Sequence, residues 1–164
     1  MKRHYFWLLS LLAISIFAAC KKKDNPPPYD PVQQAIIDEQ LIQEYITKNS
    51  ITGMLKDDAS GLHYKILQHG TPGDTIALDD RMNITYVGTL LNGTQFDAGE
   101  KTTLGDYRLE NLIDGWKIGL RKISKGGKVQ LIVPSGLGYK NANMGSIPPN
   151  SVLVFEITLH NFYY

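Results

Sequence analysis

Tyr86-Val87-Gly88-Thr89-Leu90-Leu91-Asn92-Gly93-Thr94-Gln95-Phe96-Asp97 is the stretch on which the fold turns. Met82 to Val87 alternates apolar and polar residues, the period of a half-buried strand. Thr89-Leu90-Leu91 then meets Thr94-Gln95-Phe96 across Asn92-Gly93, the strongest short-range hairpin signal. Working outward, Leu62 to Leu67 alternates in the same way, and Val129–Val133 and Val152–Leu159 read as strong strands. Tyr107-Arg108-Leu109 reads as a short strand. Leu112 to Ile123 places Ile113, Trp116, Leu120 and Ile123 on one face of a short helix. A Gly/Asn/Pro-rich stretch, Pro134 to Asn150, is about as long as ordered loops become, and such loops carry function more often than structure. The expectation is an α+β domain, an antiparallel sheet with one short helix across a face. An apolar cleft is expected between that helix and the long loop.

The N-terminal part reads differently. Met1-Lys2-Arg3-His4 is a basic head, and Tyr5 to Ala19 is apolar apart from Ser10 and Ser15. That run is shorter than the ~20 residues of a membrane-spanning helix. It has the pattern of a secretory signal over residues 1–19. Phe17-Ala18-Ala19-Cys20 resembles a bacterial lipobox, which implies lipidation of Cys20, the chain's single cysteine, and a membrane-anchored, exported protein. Removing residues 1–19 takes away Lys2 and Arg3 and no acid, which moves the formal charge from +1 to −1. Residues 20–30, with three lysines and three prolines, read as an extended tether.

Asp30-Pro31 is an N-cap followed by proline at the first helical position. Val32, Ile36, Ile37, Leu41, Ile42, Tyr45 and Ile46 follow at spacings of an amphipathic helix that ends near Asn49-Ser50. The stripe predicts docking within the monomer, with pairing to another copy through helix 31–49 as the alternative. The organisation read from the sequence is therefore an N-terminal helical extension over 31–57 and a main domain over 58–164.

Composition excludes several classes. The 164 residues suit one domain, and 43% hydrophobic content is enough for a core. A net charge of +1 offers nothing to nucleic acid. One cysteine excludes a disulfide framework and Cys-cluster metal sites. No Gly-x-Ser-x-Gly, His-Glu-x-x-His or cofactor fingerprint is present. His63, His69 and His160 are scattered and read as exposed strand or turn residues. Asp57-Asp58 and Asp79-Asp80 read as turn acids rather than metal ligands. The expectation is chemistry without nucleophile, metal or cofactor.

An aromatic and aliphatic set stands out instead: Tyr86, Phe96-Asp97, Ile113-x-Gly115-Trp116, Tyr139, Ile147-Pro148-Pro149 and Phe155. With Gly61-Leu62-His63-Tyr64-Lys65 and Val133-Pro134-Ser135-Gly136-Leu137-Gly138-Tyr139, these pieces make residues 62–164 resemble the FKBP-type peptidyl-prolyl cis-trans isomerases. The resemblance implies an antiparallel half-barrel wrapped around the short helix. It implies Trp116 as the floor under a proline ring, with Tyr86, Phe96, Ile113 and Phe155 as walls. The Ile113 N–H, beside Leu112, would hold a substrate carbonyl. Asp97 would stand near the twisting amide, Tyr139 would donate a hydrogen bond, and Ile147 would close the cleft. Implied partners are proline-containing unfolded or loosely folded polypeptides and macrolide inhibitors. A non-catalytic peptide-binding module or holdase using the same cleft is the alternative. Departures from the family pattern fall at Gly105, at Lys140, and near Asp97, where Lys101 and Arg108 are the available cations.

Overall fold

The computed structural model describes residues 29–73, 75–101 and 107–164. The segment read as a secretory signal, Cys20, most of the stretch read as a tether, and Gly105 lie outside the described residues. Helix α1 runs over Pro31–Lys48, and Asp30 caps it by accepting from the backbone N–H groups of Val32 and Gln33. Strands follow at β1 (Leu55–Lys56), β2 (His63–Gln68), β3 (Arg81–Leu90) and β4 (Gln95–Lys101). Helix α2 (Asp114–Gly119), β5 (Gly127–Val133) and β6 (Leu153–Tyr163) complete the order. The sheet has six strands in the order β1-β2-β5-β6-β3-β4, and every described pair is antiparallel. The short edge strand β1 comes from the stretch read as helical extension. Tyr107-Arg108-Leu109 forms no strand of its own; Arg108 makes one bridge to Arg81, and a 3-10 turn follows over Leu109–Asn111.

The alternation of β5 and β6 sorts two cores. Val129, Leu131 and Val133, with Leu153, Phe155, Ile157 and Leu159, face the concave side and pack with Trp116, Leu120 and Ile123. Ile132 and Val154 point the other way and form a second cluster with Ile42 of α1 and Val152. Two glycines let α2 lie close on β5. A Cβ on Gly115 would fall 2.5 Å from Val133 Cγ1, and one on Gly119 would fall 2.5 Å from Leu131 Cδ2.

Helix α1 docks on the convex face through only part of its apolar stripe, Ile42 with Tyr45 and Ile46, together with Asp38. Asp38 and Ile42 are buried, whereas Val32, Ile36, Ile37 and Leu41 remain exposed. The docked helix also buries His63, which is 3% exposed rather than a solvated strand residue. His63 Nε2 lies 3.0 Å from Glu39 Oε2, and Lys56 Nζ lies 3.1 Å from the same oxygen. Burial works to raise the Glu39 pKa, but the hydrogen bonds from His63, Gln43 and Lys56 outweigh it and hold the carboxyl at about 2 against an ordinary 4.5. A depressed carboxyl stabilises the folded state above its unfolded pKa and loses that contribution as pH falls. Stability from Glu39 is therefore complete above 4.5 and fades toward 2. Urea midpoints of the wild type and Glu39→Gln should differ at neutral pH and converge as pH drops through that window. A constant difference would show that the contact does not depend on the Glu39 charge.

Candidate active site

The first wall of the cleft is built by a defect in pairing. On β3 and β4, Gly88 faces Asp97 while Thr89 faces Gln95, so Phe96 is the extra residue of a bulge. A bulge places two residues against one and re-aims side chains. Consecutive residues Phe96 and Asp97 therefore both reach the concave face, which regular alternation forbids. Gly88 makes the room: a Cβ there would fall 2.7 Å from Phe96 Cζ and 2.8 Å from Phe155 Cε1. The adjoining turn is tied by Gly93 N–H to Leu90 O and Leu90 N–H to Thr94 O, with Gly93 in the left-handed region at φ 87°. This is a three-residue hairpin loop, in which glycine is favoured at the left-handed position.

Helix α2 supplies the floor. Ile113 precedes it in an extended conformation, and its carbonyl accepts the Trp116 N–H at 3.0 Å. The indole packs edge-on against Tyr86 (centroids 5.1 Å, 75°) and Phe155 (5.2 Å, 87°), and Phe155 meets Phe96 at 5.6 Å and 88°. Edge-to-face contacts of this kind contribute about 0.5–1.5 kcal/mol each beyond simple burial, so the rings hold one another in place. They leave a cavity of about 160 Å³. An apolar cavity of ~150 Å³ is enough for one benzene-sized ring.

The sequence-expected residues Tyr86, Phe96, Asp97, Leu112, Ile113, Trp116, Tyr139 and Phe155 all line this cavity. Ile147 does not. It is buried in the concave core, where it bridges Met144 within the long loop. Two further residues line it: Lys101, named from the sequence only as a cation near Asp97, and Asn111, which was not expected there. Lys101 follows Asp97 at the period-2 spacing that keeps it on the same face, a signal visible only once the bulge is known. Its ammonium stands 5.3 Å from the Tyr86 ring centroid and 4.5 Å from that of Tyr107.

The polar groups are few and placed. Tyr86 donates its hydroxyl proton to Asp97 Oδ2 at 2.7 Å. Burial, then the Asp97 carboxylate, push the Tyr86 pKa far above its ordinary value. Burial and the same carboxylate raise that of Tyr139. Both phenols therefore remain donors at any neutral or mildly alkaline pH. Among the described residues no acceptor takes the Ile113 N–H. No group of three or more His, Cys, Asp or Glu side chains among the described residues is arranged to hold a metal ion. Gly88→Ala should push the Phe96 and Phe155 rings into the cavity at a cost of about 1–3 kcal/mol, the usual range for overpacking. Urea unfolding measures that loss; unchanged stability would mean the rings can give way.

Comparison with known proteins agrees with this arrangement. Residues 73–160 match the family FKBP-type peptidyl-prolyl cis-trans isomerase. The chain is 38% identical over 120 residues to the FKBP-type peptidyl-prolyl cis-trans isomerase FkpA of Escherichia coli, covering 71% of this chain and 43% of that protein. It is 42% identical over 105 residues to a probable FKBP-type peptidyl-prolyl cis-trans isomerase of Haemophilus influenzae, covering 63% of this chain and 43% of that protein. It therefore spans less than half the length of the curated relatives it matches. The crystal structure of FkpA from E. coli superposes with a TM-score of 0.64 at 32% identity, over 80% of this chain and 62% of that one. A peptidyl-prolyl cis-trans isomerase from Pseudomonas syringae gives 0.64 at 27% identity, over 82% and 98%. By its profile match and by these relatives, the chain belongs to the FKBP-type peptidyl-prolyl cis-trans isomerase family.

Proposed function

We propose that the chain accelerates cis–trans rotation about X–Pro bonds in polypeptides by desolvating and twisting the amide in the Trp116-floored cleft. The observation that carries this reading is the ring-sized, mainly apolar cavity bounded by Trp116, Tyr86, Phe96 and Phe155, with few polar groups in its lining. Rotation must break amide resonance, against a barrier of ~18–20 kcal/mol. Resonance charges the carbonyl oxygen, and water stabilises that planar form. A dry aromatic site withdraws the stabilisation from the planar amide and costs the twisted one less. Only such differential binding accelerates the step. Trp116 seats the proline ring, the Ile113 N–H holds a neighbouring carbonyl, and Tyr139 donates to the substrate backbone. Asp97, oriented by Tyr86, places negative charge where a planar amide oxygen is least welcome.

Supporting features outside the cleft bear on where the protein acts. The lipobox-like stretch ending at Cys20 fits export and anchoring of the mature chain by a lipid, with clients that are exported proline-containing chains. Proline isomerisation takes tens of seconds without help, slow enough to limit folding. Macrolide inhibitors fit the same apolar floor. Val32 and Ile36 on α1 are 72% and 60% exposed, and a two-fold pairing of this one stripe with a second copy covers both at once.

A protease-coupled assay with a prolyl peptide should show rate enhancement by residues 30–164. Tyr139→Phe with Asp97→Leu should lower kcat/KM by about tenfold or more, the usual scale for paired transition-state contacts. The activity should be flat from about pH 6 to about pH 9, because no ordinary histidine-range group lines the cleft. A wild type that binds the peptide, seen by Trp116 fluorescence, without accelerating rotation would replace the isomerase reading with that of a peptide-binding module or holdase. Light scattering should give a dimer for residues 30–164 and a monomer for a chain starting at Ser60; equal masses per chain would end the pairing.

A further inference from the structure

The loop that carries Tyr139 is tied to a helix outside the family match. Asp38 of α1 is 1% exposed, and Ser135 is fully buried beside it. Asp38 Oδ2 accepts both the Ser135 backbone N–H and the Ser135 hydroxyl, each at 2.7 Å. Its other oxygen accepts from Gln34 Nε2 at 2.8 Å. Hydrogen bonds to a carboxylate are shorter and roughly twice as strong as neutral ones, and burial sharpens them further. Ser135 opens the 3-10 turn Ser135–Leu137. Its carbonyl then accepts two amides, Gly138 N–H at 3.0 Å and Lys140 N–H at 2.9 Å. Tyr139 sits between those two residues. Its backbone is thus held on both sides by one carbonyl, and that carbonyl belongs to the residue which Asp38 grips. Lys140 itself takes a positive φ of 55°, and its carbonyl accepts the Asn150 N–H at 2.8 Å, which closes the loop on its far side.

We propose that Asp38 is a positioning residue for Tyr139, acting through Ser135, so that the docked helix α1 sets the geometry of the cleft's hydrogen-bond donor. The family match covers residues 73–160, so the anchor comes from a residue upstream of it. The consequence for activity rests on the isomerase reading above; the consequence for the loop does not. Truncating Asp38 leaves the buried Ser135 N–H and hydroxyl without partners and frees the turn that carries Tyr139, while the other groups lining the cavity keep their own contacts.

The test compares the full chain with Asp38→Ala, Asp38→Asn, Ser135→Ala and Tyr139→Phe. Asp38→Ala should lower kcat/KM about tenfold, the scale of one lost charged hydrogen bond. Asp38→Asn, which keeps an oxygen facing Ser135, should restore most of it. In a Tyr139→Phe background Asp38→Ala should cost less than about twofold, because a contact that works through one residue is non-additive with it. Amide hydrogen exchange should quicken at Leu137, Gly138 and Lys140 in Asp38→Ala while Ile84, Tyr86 and Ile157 keep their protection. Equal losses in both backgrounds, or unchanged exchange at those three amides, would overturn the assignment. If Asp38→Ala also loses protection along β3 and β6, Ser135→Ala carries the same comparison. A wild type without isomerase activity overturns the proposed reaction, and the exchange result still decides the anchor.

Discussion

The approach of α2 to β5 is the constraint on which the cleft depends. Gly115 and Gly119 bring the helix against Val133 and Leu131 at distances no Cβ would allow. Only at that depth does the Trp116 ring lie edge-on to both Tyr86 of β3 and Phe155 of β6. A helix held further out by even one methyl group would lift the indole into the space that is now the cavity. The site is therefore a gap left by close packing, and its apolar character follows from its being cut out of the core.

Much of this was legible in the sequence, for identifiable reasons. Long strands with regular alternation and a strong turn dipeptide announce themselves locally, and the helix 31–49 was flagged by its Asp-Pro start. What escaped is what depends on tertiary context. Regular alternation sends Phe96 and Asp97 to opposite faces; the bulge brings them together, and it is set by where Gly88 meets two rings. Lys101 entered the cleft for the same reason. His63 carried no local sign of burial, because the element that covers it lies far upstream. Ile147 belongs to the right loop but is buried in the core without lining the cavity, since a loop's path decides which of its apolar residues turn inward.

The two faces of the sheet divide the labour. Along β5 and β6, the residues pointing inward build the core around α2, with Phe155 lining the cavity, and those pointing outward receive α1, so adjacent residues such as Leu131 and Ile132 serve different ends. A strand transmits displacement poorly between its faces, because both are fixed by the same ladder. The connection Pro134 to Asn150 is not fixed in that way. It leaves β5, passes α1 at Ser135 and reaches the cavity at Tyr139, so a single loop touches both sides.

That path explains why a carboxylate rather than another leucine sits at the helix contact. The apolar residues of α1 cover much of its circumference, and an apolar contact has no preferred direction. Ile42 alone permits several rotations of the helix against Ile132 and Val154. Val32, Ile36, Ile37 and Leu41 form the more continuous stripe, yet they face solvent. The docked face is instead the row Gln34, Asp38, Ile42 and Ile46, four residues apart, with the acid at its centre. Two donors converging on one oxygen fix both the rotation and the rise of the helix, since a shift by one residue would leave the Ser135 donors and the carboxylate unpaired in the interior. The polar pair thus selects the register in which the apolar contacts form, and in that register the turn leading to Tyr139 is held.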